Sequence, residues 1–306
     1  MVIVCNMAPI VIFTYKRLWH THQTIEALKN NELAEKSTFF IFSDAPKSQK
    51  EKKAVEEVRK YIKSIKGFKE VIVIEREKNY GLAKNIIDGV TRVVNRYGKV
   101  IVLEDDIVTS PYFLKYMNEA LEFYKNNEKV MHISGYIYPV NNESLPDFFF
   151  LKPTSCWGWG TWKRAWRFFK KDCDYFMKLF SKEMIYDFNL SNSYNYWAQI
   201  IANKKGKINT WAIFWYASVY INGGLSLHPK ISFTNNIGHD GSGEHCGEEK
   251  CFLWNKLNET SEFVFPEIVE EHYEARKRIE EFFRSAKIPL WKKLLRKVEN
   301  LFVQRY

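Results

Sequence analysis

Three consecutive acids, Glu104, Asp105 and Asp106, stand directly after the apolar run Val100-Ile-Val-Leu103. Carboxylates this close repel one another unless a cation or a donor-rich ligand holds them together. Successive side chains leaving a strand point in different directions, so one carboxylate can face a metal ion while its neighbour faces substrate hydroxyls. The simpler alternative is a solvated acidic turn that caps the helix beginning near Pro111, with Thr109 or Ser110 as N-cap. A cap needs one oxygen, and three acids exceed that need.

The run that carries the acids is bounded by turn residues, the pattern of a strand buried on both faces of a parallel sheet. The chain before it repeats the pattern. Pro9 to Thr14, Thr38 to Ser43 and Glu70 to Ile74 read as buried strands. A helical pattern follows each: one to about Asn31, a charged amphipathic one with Val55, Val58, Tyr61, Ile62 and Ile65 on one face, and one from Leu82 to Tyr97. Gly98 closes the last of these, and the acid-bearing strand comes next. This alternation predicts an α/β fold, a doubly wound sheet with right-handed crossovers and helices on both faces.

Open α/β sheets bind ligands beyond the carboxyl ends of their strands, where Tyr15 to Arg17, Asp44, Asn79 to Asn85 and Glu104 to Asp106 would converge. That is a nucleotide-site layout. No Gly-x-Gly-x-x-Gly follows the first strand and no P-loop motif occurs, so neither usual phosphate cradle is present. A divalent cation held by carboxylates can take over that task.

Beyond the acids, a helix is expected from about Tyr112 to Asn127, then strands at Val130 to Ser134 and Asp147 to Leu151. In Ser155 to Trp166, Trp162 and Trp166 are four apart and read as the buried stripe of a helix, while Trp157 and Trp159, flanking Gly158, are candidates for a binding wall. A helical stretch from Asp174 to about Lys205 precedes an aromatic stripe at Ile208 to Ile221, read as core, and a turn and short strand at Asn222 to Pro229. The glycine-punctuated Asn235 to Cys246 reads as a lid loop. From Val264 onward the chain is charged and helical. Its last part, 289–306, sets Leu290, Trp291, Leu294, Leu295, Val298, Leu301 and Phe302 against Lys292, Lys293, Arg296 and Lys297. That pattern suits an interfacial helix at a membrane, and equally a helix packed on the domain or a sister subunit.

A chain of 306 residues can bury a large core with a sizeable appendage. Aromatic residues make up 16%, a surplus that serves either core packing or stacking on sugars and bases. The formal charge of +10, from 46 Lys and Arg against 36 Asp and Glu, attracts anions such as nucleotides, nucleic acid or acidic lipid. Five cysteines without framework spacing fit a reducing compartment, and the apolar start has neither a basic leader nor the length of a membrane span. The expected location is the cytoplasm, with peripheral contact at the inner face of the membrane through 289–306.

Six short motifs now resemble, in order, those of nucleotide-sugar-dependent glycosyltransferases of the GT-A fold. They are Phe13-Thr-Tyr-Lys-Arg17, Ser43-Asp44, Asn79-Tyr-Gly-Leu-Ala83, Leu103-Glu-Asp-Asp-Ile107, Cys156-Trp-Gly-Trp-Gly160 and Asn236-Ile-Gly-His-Asp-Gly-Ser-Gly243. The pattern is most like that of bacterial and archaeal family 2-like sugar transferases related to N-acetylglucosaminyltransferase I, and covers about Pro9 to Cys246. The resemblance implies a mixed GT-A sheet over 1–260, with a nucleotide-binding half at about 8–135, an acceptor half at about 136–260 and a helical extension at 261–306. It implies that Asp106 coordinates Mn²⁺ or Mg²⁺, and that Glu104 and Asp105 hold ribose and donor sugar. Thr14, Arg17, Asp44, Asn79, Gly81, Lys84 and Asn85 would contact the donor, and His239 and Asp240 would close over it. Trp157 and Trp159 would wall the acceptor or sugar. The related enzymes place their catalytic base just after a Trp on a late helix, where this chain has Ala212 after Trp211. The catalytic residues implied are Asp105 and Asp240, with Asp240 as the substitute base and Glu244 as another candidate, unless the alignment is shifted here or the enzyme retains configuration, since inverting transfer needs a base within hydrogen-bond reach of the acceptor.

The resulting expectation is transfer of a hexosyl or N-acetylhexosaminyl unit from a nucleoside diphosphate sugar, with UDP preferred, to a glycan or lipid-linked acceptor in cell-surface polysaccharide or glycoconjugate synthesis. A nucleotidyltransferase would need an early Gly-rich basic loop, which is missing. A non-enzymatic membrane or nucleic-acid module is disfavoured because the basic residues spread along amphipathic helices, and no nucleic acid is expected as partner. The spacing of His239, His245, Cys246 and Cys251 does not match common zinc ligand sets. Donor sugar, acceptor, anomeric outcome and oligomeric state stay open.

Overall fold

The computed structural model describes residues 7–238, 252–254 and 256–286. His239, Asp240, Glu244, His245, Cys246, Cys251 and the 289–306 segment lie outside them. The first half alternates as expected: β1 (Ile10–Thr14), α1 (Leu18–Lys29), β2 (Thr38–Ser43), α2 (Lys52–Ile62), β3 (Glu70–Glu75), α3 (Leu82–Tyr97) and β4 (Lys99–Glu104). After β4 come β5 (Ile107–Thr109), α4 (Phe113–Phe123), β6 (Val130–Ser134), β7 (Phe148–Leu151), β8 (Trp159–Trp162) and α5 (Lys163–Trp166). The last part contains α6 (Cys173–Leu179), α7 (Lys182–Phe188), α8 (Trp197–Lys204), α9 (Ala212–Ile221), β9 (Leu225–Pro229), β10 (Thr234–Asn236) and α10 (Tyr273–Ala286).

Eight strands form one mixed sheet in the order β3-β2-β1-β4-β8-β6-β9-β7. β1 to β4 are mutually parallel, and β8 runs against both β4 and β6. One core layer joins α1, α2 and α4 to the sheet through residues such as Ile25, Val58 and Leu114. The other joins α3, α5 and α9 through Ile86, Trp166 and Trp215. The parallel strands therefore deliver their carboxyl ends to one edge, with helices covering both faces.

β8 corrects the reading of Trp162 and Trp166 as one helical stripe. Trp159-Gly-Thr-Trp162 is extended, and its two indoles, three residues apart, enter opposite core layers as the two-residue period of a strand requires. Gly160 permits the close approach: a Cβ there would lie 3.3 Å from Leu121 and 3.4 Å from the Val100 carbonyl. The stretch expected as one helix from Asp174 to Lys205 is three, because Asp172 and Ser181 cap new helices by accepting from Tyr175 N and Met184 N. The charged end of the described chain forms α10, which packs Ala275, Ile279 and Phe283 against Phe149 and Leu151. Among the described residues no helix is long and apolar enough to cross a membrane.

Behind β4 lies a cluster of Trp159, Trp166, Trp211 and Trp215 around His132. Trp215 Nε1 donates to His132 Nδ1 at 3.0 Å and His132 Nε2 lies 3.0 Å from the Ser155 carbonyl, so a neutral ring protonated on Nε2 satisfies both. Burial, with His228 nearby, pulls His132 down to about 3, and burial pulls His228 down to about 4. Between about pH 6.5 and 4 the unfolded chain binds protons at these rings that the native protein does not, so stability falls as the pH drops through that window. The slope is about 1.4 kcal/mol per pH unit for each ring. His132→Gln is expected to flatten the plot of urea-unfolding stability between pH 6 and 4.5 by about that slope. An unchanged slope would mean the ring is already charged in the fold.

Candidate active site

The acids sit at the carboxyl end of β4, and their partner comes from the next strand over. Arg17, the N-cap residue of α1 just past β1, donates from Nη2 to Asp105 Oδ1 and, at 2.7 Å, to Asp106 Oδ2. Asp105 and Asp106 are only 5% and 6% exposed, so this is a partly desolvated pairing of one cation with two anions. Thr24 Oγ1 donates to the Asp105 carbonyl at 3.0 Å and fixes the turn against α1. Burial is the main cause that lifts Glu104 to about 8, with Asp106 and Asp105 adding to it. Asp105 rises to about 6 through burial, against the pull of Arg17. Burial opposes the charge on Arg17, but the two aspartates outweigh it and hold the guanidinium protonated.

A second strand pair brings a distant segment to the same point. β10 pairs antiparallel with β5, and Ile237 N donates to the Asp106 carbonyl at 2.8 Å. Gly238 follows, and a Cβ there would lie 2.2 Å from Asp106 Oδ2 and 3.0 Å from Arg17 Nη1. A side chain at this position would force the carboxylate or the guanidinium to move. Gly238→Ala is expected to displace the Asp106 side chain and weaken Mn²⁺ binding roughly tenfold, a typical overpacking cost of about 1–3 kcal/mol. Calorimetric Mn²⁺ titration checks this, and wild-type affinity would count against Asp106 as ligand.

On the other rim Asp44, at the end of β2, accepts from Ala45 N (2.9 Å), Tyr80 N (2.8 Å) and Gly81 N (2.9 Å). Asn79 Nδ2 donates to the Ala45 carbonyl at 2.6 Å. Gly81 has φ +70°, which a side chain would strain, so Asp44 and Gly81 together shape the loop that starts α3. Asn85 is buried, and its Oδ1 accepts from Arg76 Nε at 2.9 Å. Lys84 is exposed, with its ammonium 4.7 Å from the Tyr80 ring. Thr14 is buried at the end of β1, and its Oγ1 has no hydrogen-bond partner among the described residues.

The two indoles of the expected wall part company. Trp157 is half-buried against Tyr136, ring centroids 4.5 Å apart. Trp159 is fully buried and stacked on Trp211 at 5.4 Å, so it is core and offers no face to a ligand, a correction that follows from its place on β8 between β4 and β6. Two contributors went unread in the sequence. Arg76 lies over the Phe42 and Tyr80 rings and pairs with Asp88 at 2.5 Å, yet it stands in a run of charged residues that gives no signal. Trp211 was read as a core-stripe aromatic and as the landmark before Ala212, and its indole stands beside Glu104 and opposes the rise of that carboxyl. Ala212 opens α9 directly after it, so the carboxylate beside Trp211 in space is Glu104.

Residues 10–185 match the sequence profile of glycosyl transferase family 2. The chain belongs to that family. Its α/β sheet is accordingly a GT-A sheet. Among solved structures, S. aureus TarS shares 15% identity over 46% of this chain and 23% of its own, with a TM-score of 0.31. This chain thus spans about a quarter of that TarS chain. TarS 1–349 shares 10% over 76% and 61%, with a TM-score of 0.40. The mannosyltransferase PcManGT from Pyrobaculum calidifontis, in complex with GDP-Man and Mn²⁺, shares 10% over 70% and 69%, with a TM-score of 0.37. No curated protein matches.

Proposed function

We propose that this family 2 glycosyltransferase is metal-dependent and moves a hexosyl or N-acetylhexosaminyl unit from a nucleoside diphosphate sugar to a hydroxyl of a glycan or lipid-linked acceptor, in cell-surface polysaccharide or glycoconjugate synthesis. The observation that carries the reading is the meeting of Arg17 with Asp105 and Asp106 at the carboxyl ends of β1 and β4. Uridine is the preferred carrier on the likeness to N-acetylglucosaminyltransferase I.

The residues present fit a divalent cation. Asp105 and Asp106 set carboxylate oxygens side by side at the Arg17 guanidinium, and a cation that takes most of its oxygens from a diphosphate and water needs only one or two from carboxylates. Arg17 Nη1 is buried without a hydrogen-bond partner among the described residues, which leaves the guanidinium a donor in reserve. Asp106 would hold Mn²⁺ or Mg²⁺, which when bound offsets the diphosphate charge and eases its departure. Arg17 binds the diphosphate, and Asp105 and Glu104 accept from ribose and donor-sugar hydroxyls. The Asp44 and Asn79 loop borders the nucleoside. Asp240 remains the proposed base.

A thermal-shift screen of nucleotide sugars with and without Mn²⁺ tests the reading, since a ligand of the native state raises its melting temperature. A Mn²⁺-dependent shift with release of nucleoside diphosphate is expected. Release of pyrophosphate would indicate a nucleotidyltransferase.

A further inference from the structure

Beside the donor crevice a groove of about 730 Å³ runs between α1 and α2, within the size range of ligand clefts. α1 supplies Leu18, Trp19 and His22, three and four positions apart and so on one face. The α2 side supplies Glu57, Lys60, Tyr61 and Ser64, spaced i, i+3, i+4 and i+7. α2 buries the stripe Val55, Val58 and Ile62 and turns this mostly polar face, with Tyr61 in it, toward the groove. Trp19 is 59% exposed and Leu18 37%, whereas tryptophan is usually well covered. His22 and Tyr61 meet across the helices with ring centroids 5.1 Å apart, and the Tyr61 hydroxyl donates to Glu26 at 3.3 Å, which holds the ring.

We infer that this groove is a second sugar-binding site, which docks neutral saccharide units of the acceptor chain away from its reacting hydroxyl. The inference rests on the reading of the crevice as the donor site of an enzyme that acts on glycans. The aromatic rings offer a flat apolar surface for the C–H face of a pyranose, and Glu57, Lys60 and Ser64 supply acceptors and donors for its hydroxyls. Glu57 and Lys60 cancel in charge, so the groove favours a neutral polyol over the anions that the +10 chain attracts elsewhere. Leu18 follows Arg17 directly, and five residues of helix separate Arg17 from His22, about 8 Å along the axis. The groove therefore starts at the residue next to the one that bridges the carboxylates.

Saturation-transfer NMR on the full chain with maltotetraose, cellotetraose and tetra-N-acetylchitotetraose tests this. At least one is expected to receive saturation, undiminished by UDP with Mn²⁺, and to lose it at least fivefold in Trp19→Ala and in Glu57→Ala, both with unchanged circular dichroism. No transfer to any of the three, or full transfer in Trp19→Ala, overturns the site. So does a wild-type dimer that Trp19→Ala turns into a monomer, because the groove would then be covered by a second copy. Tetraose binding without a Mn²⁺-dependent nucleotide-sugar shift would sink the donor reading and leave the groove standing. A nucleotide-sugar shift without tetraose binding would do the reverse.

Discussion

Asp106→Asn is expected to abolish Mn²⁺-dependent binding of nucleotide sugar and to lower transfer by about 10³-fold or more, while the fold persists. The side chain is near-isosteric, so the packing under Gly238 and the Ile237 bond to the Asp106 carbonyl stay in place. What disappears is the charge. A cation at a departing diphosphate contributes several kcal/mol of transition-state stabilisation, and each 1.4 kcal/mol is tenfold in rate. The checks are the Mn²⁺-dependent thermal shift and the rate of nucleoside diphosphate release. Full activity, or an unchanged Mn²⁺ dependence, would remove Asp106 from the chemistry.

Arg17→Ala is expected to push two affinities in opposite directions. In the described arrangement its Nη2 bridges both aspartates, so it already occupies the electrostatic position that a divalent cation would take. Removing one member of a buried ion cluster costs about 3–5 kcal/mol, because the remaining charges are left uncompensated. The metal-free variant should therefore melt several degrees lower, and Mn²⁺ should restore more of that loss than it adds to wild type. Calorimetry should show Mn²⁺ binding about tenfold tighter and nucleotide-sugar binding about 10²-fold weaker, since the diphosphate loses its guanidinium partner. Equal Mn²⁺ affinity in variant and wild type would mean that Arg17 keeps its hold on Asp106 in the loaded site.

The first half of this architecture could be read from local pattern because each of its strands is an apolar run and each helix carries its own periodicity. The acids were legible for the same reason: three carboxylates after a buried run exceed the one oxygen that a helix cap needs. Their partner Arg17 was legible as a rim residue, but its bridge to both aspartates was not, because it depends on β1 lying beside β4. The second half resisted local reading. β8 hides in a Trp- and Gly-rich stretch whose helical spacing is accidental, and the chain between α7 and α8 turns on Leu190, Ser191 and Asn192, all left-handed, with no glycine to announce it. Asp44 illustrates a third kind of miss. Its position at a strand end marks it for the site, while its bonds to three backbone N–H groups arise only when β2 meets the loop after β3.

The pairing of β10 with β5 also has a consequence for synthesis. Ile237 reaches Asp106 from more than a hundred residues further along the chain, so the covering of that carboxylate waits until the ribosome has released nearly the whole sheet. At roughly 5–20 residues per second, the nascent protein spends on the order of ten seconds with β1 to β4 emerged and the acids uncovered. During that interval Arg17 is their available local counter-charge, coming from a strand made earlier. The same guanidinium that bridges the aspartates in the finished fold is thus the charge that offsets them before β10 arrives.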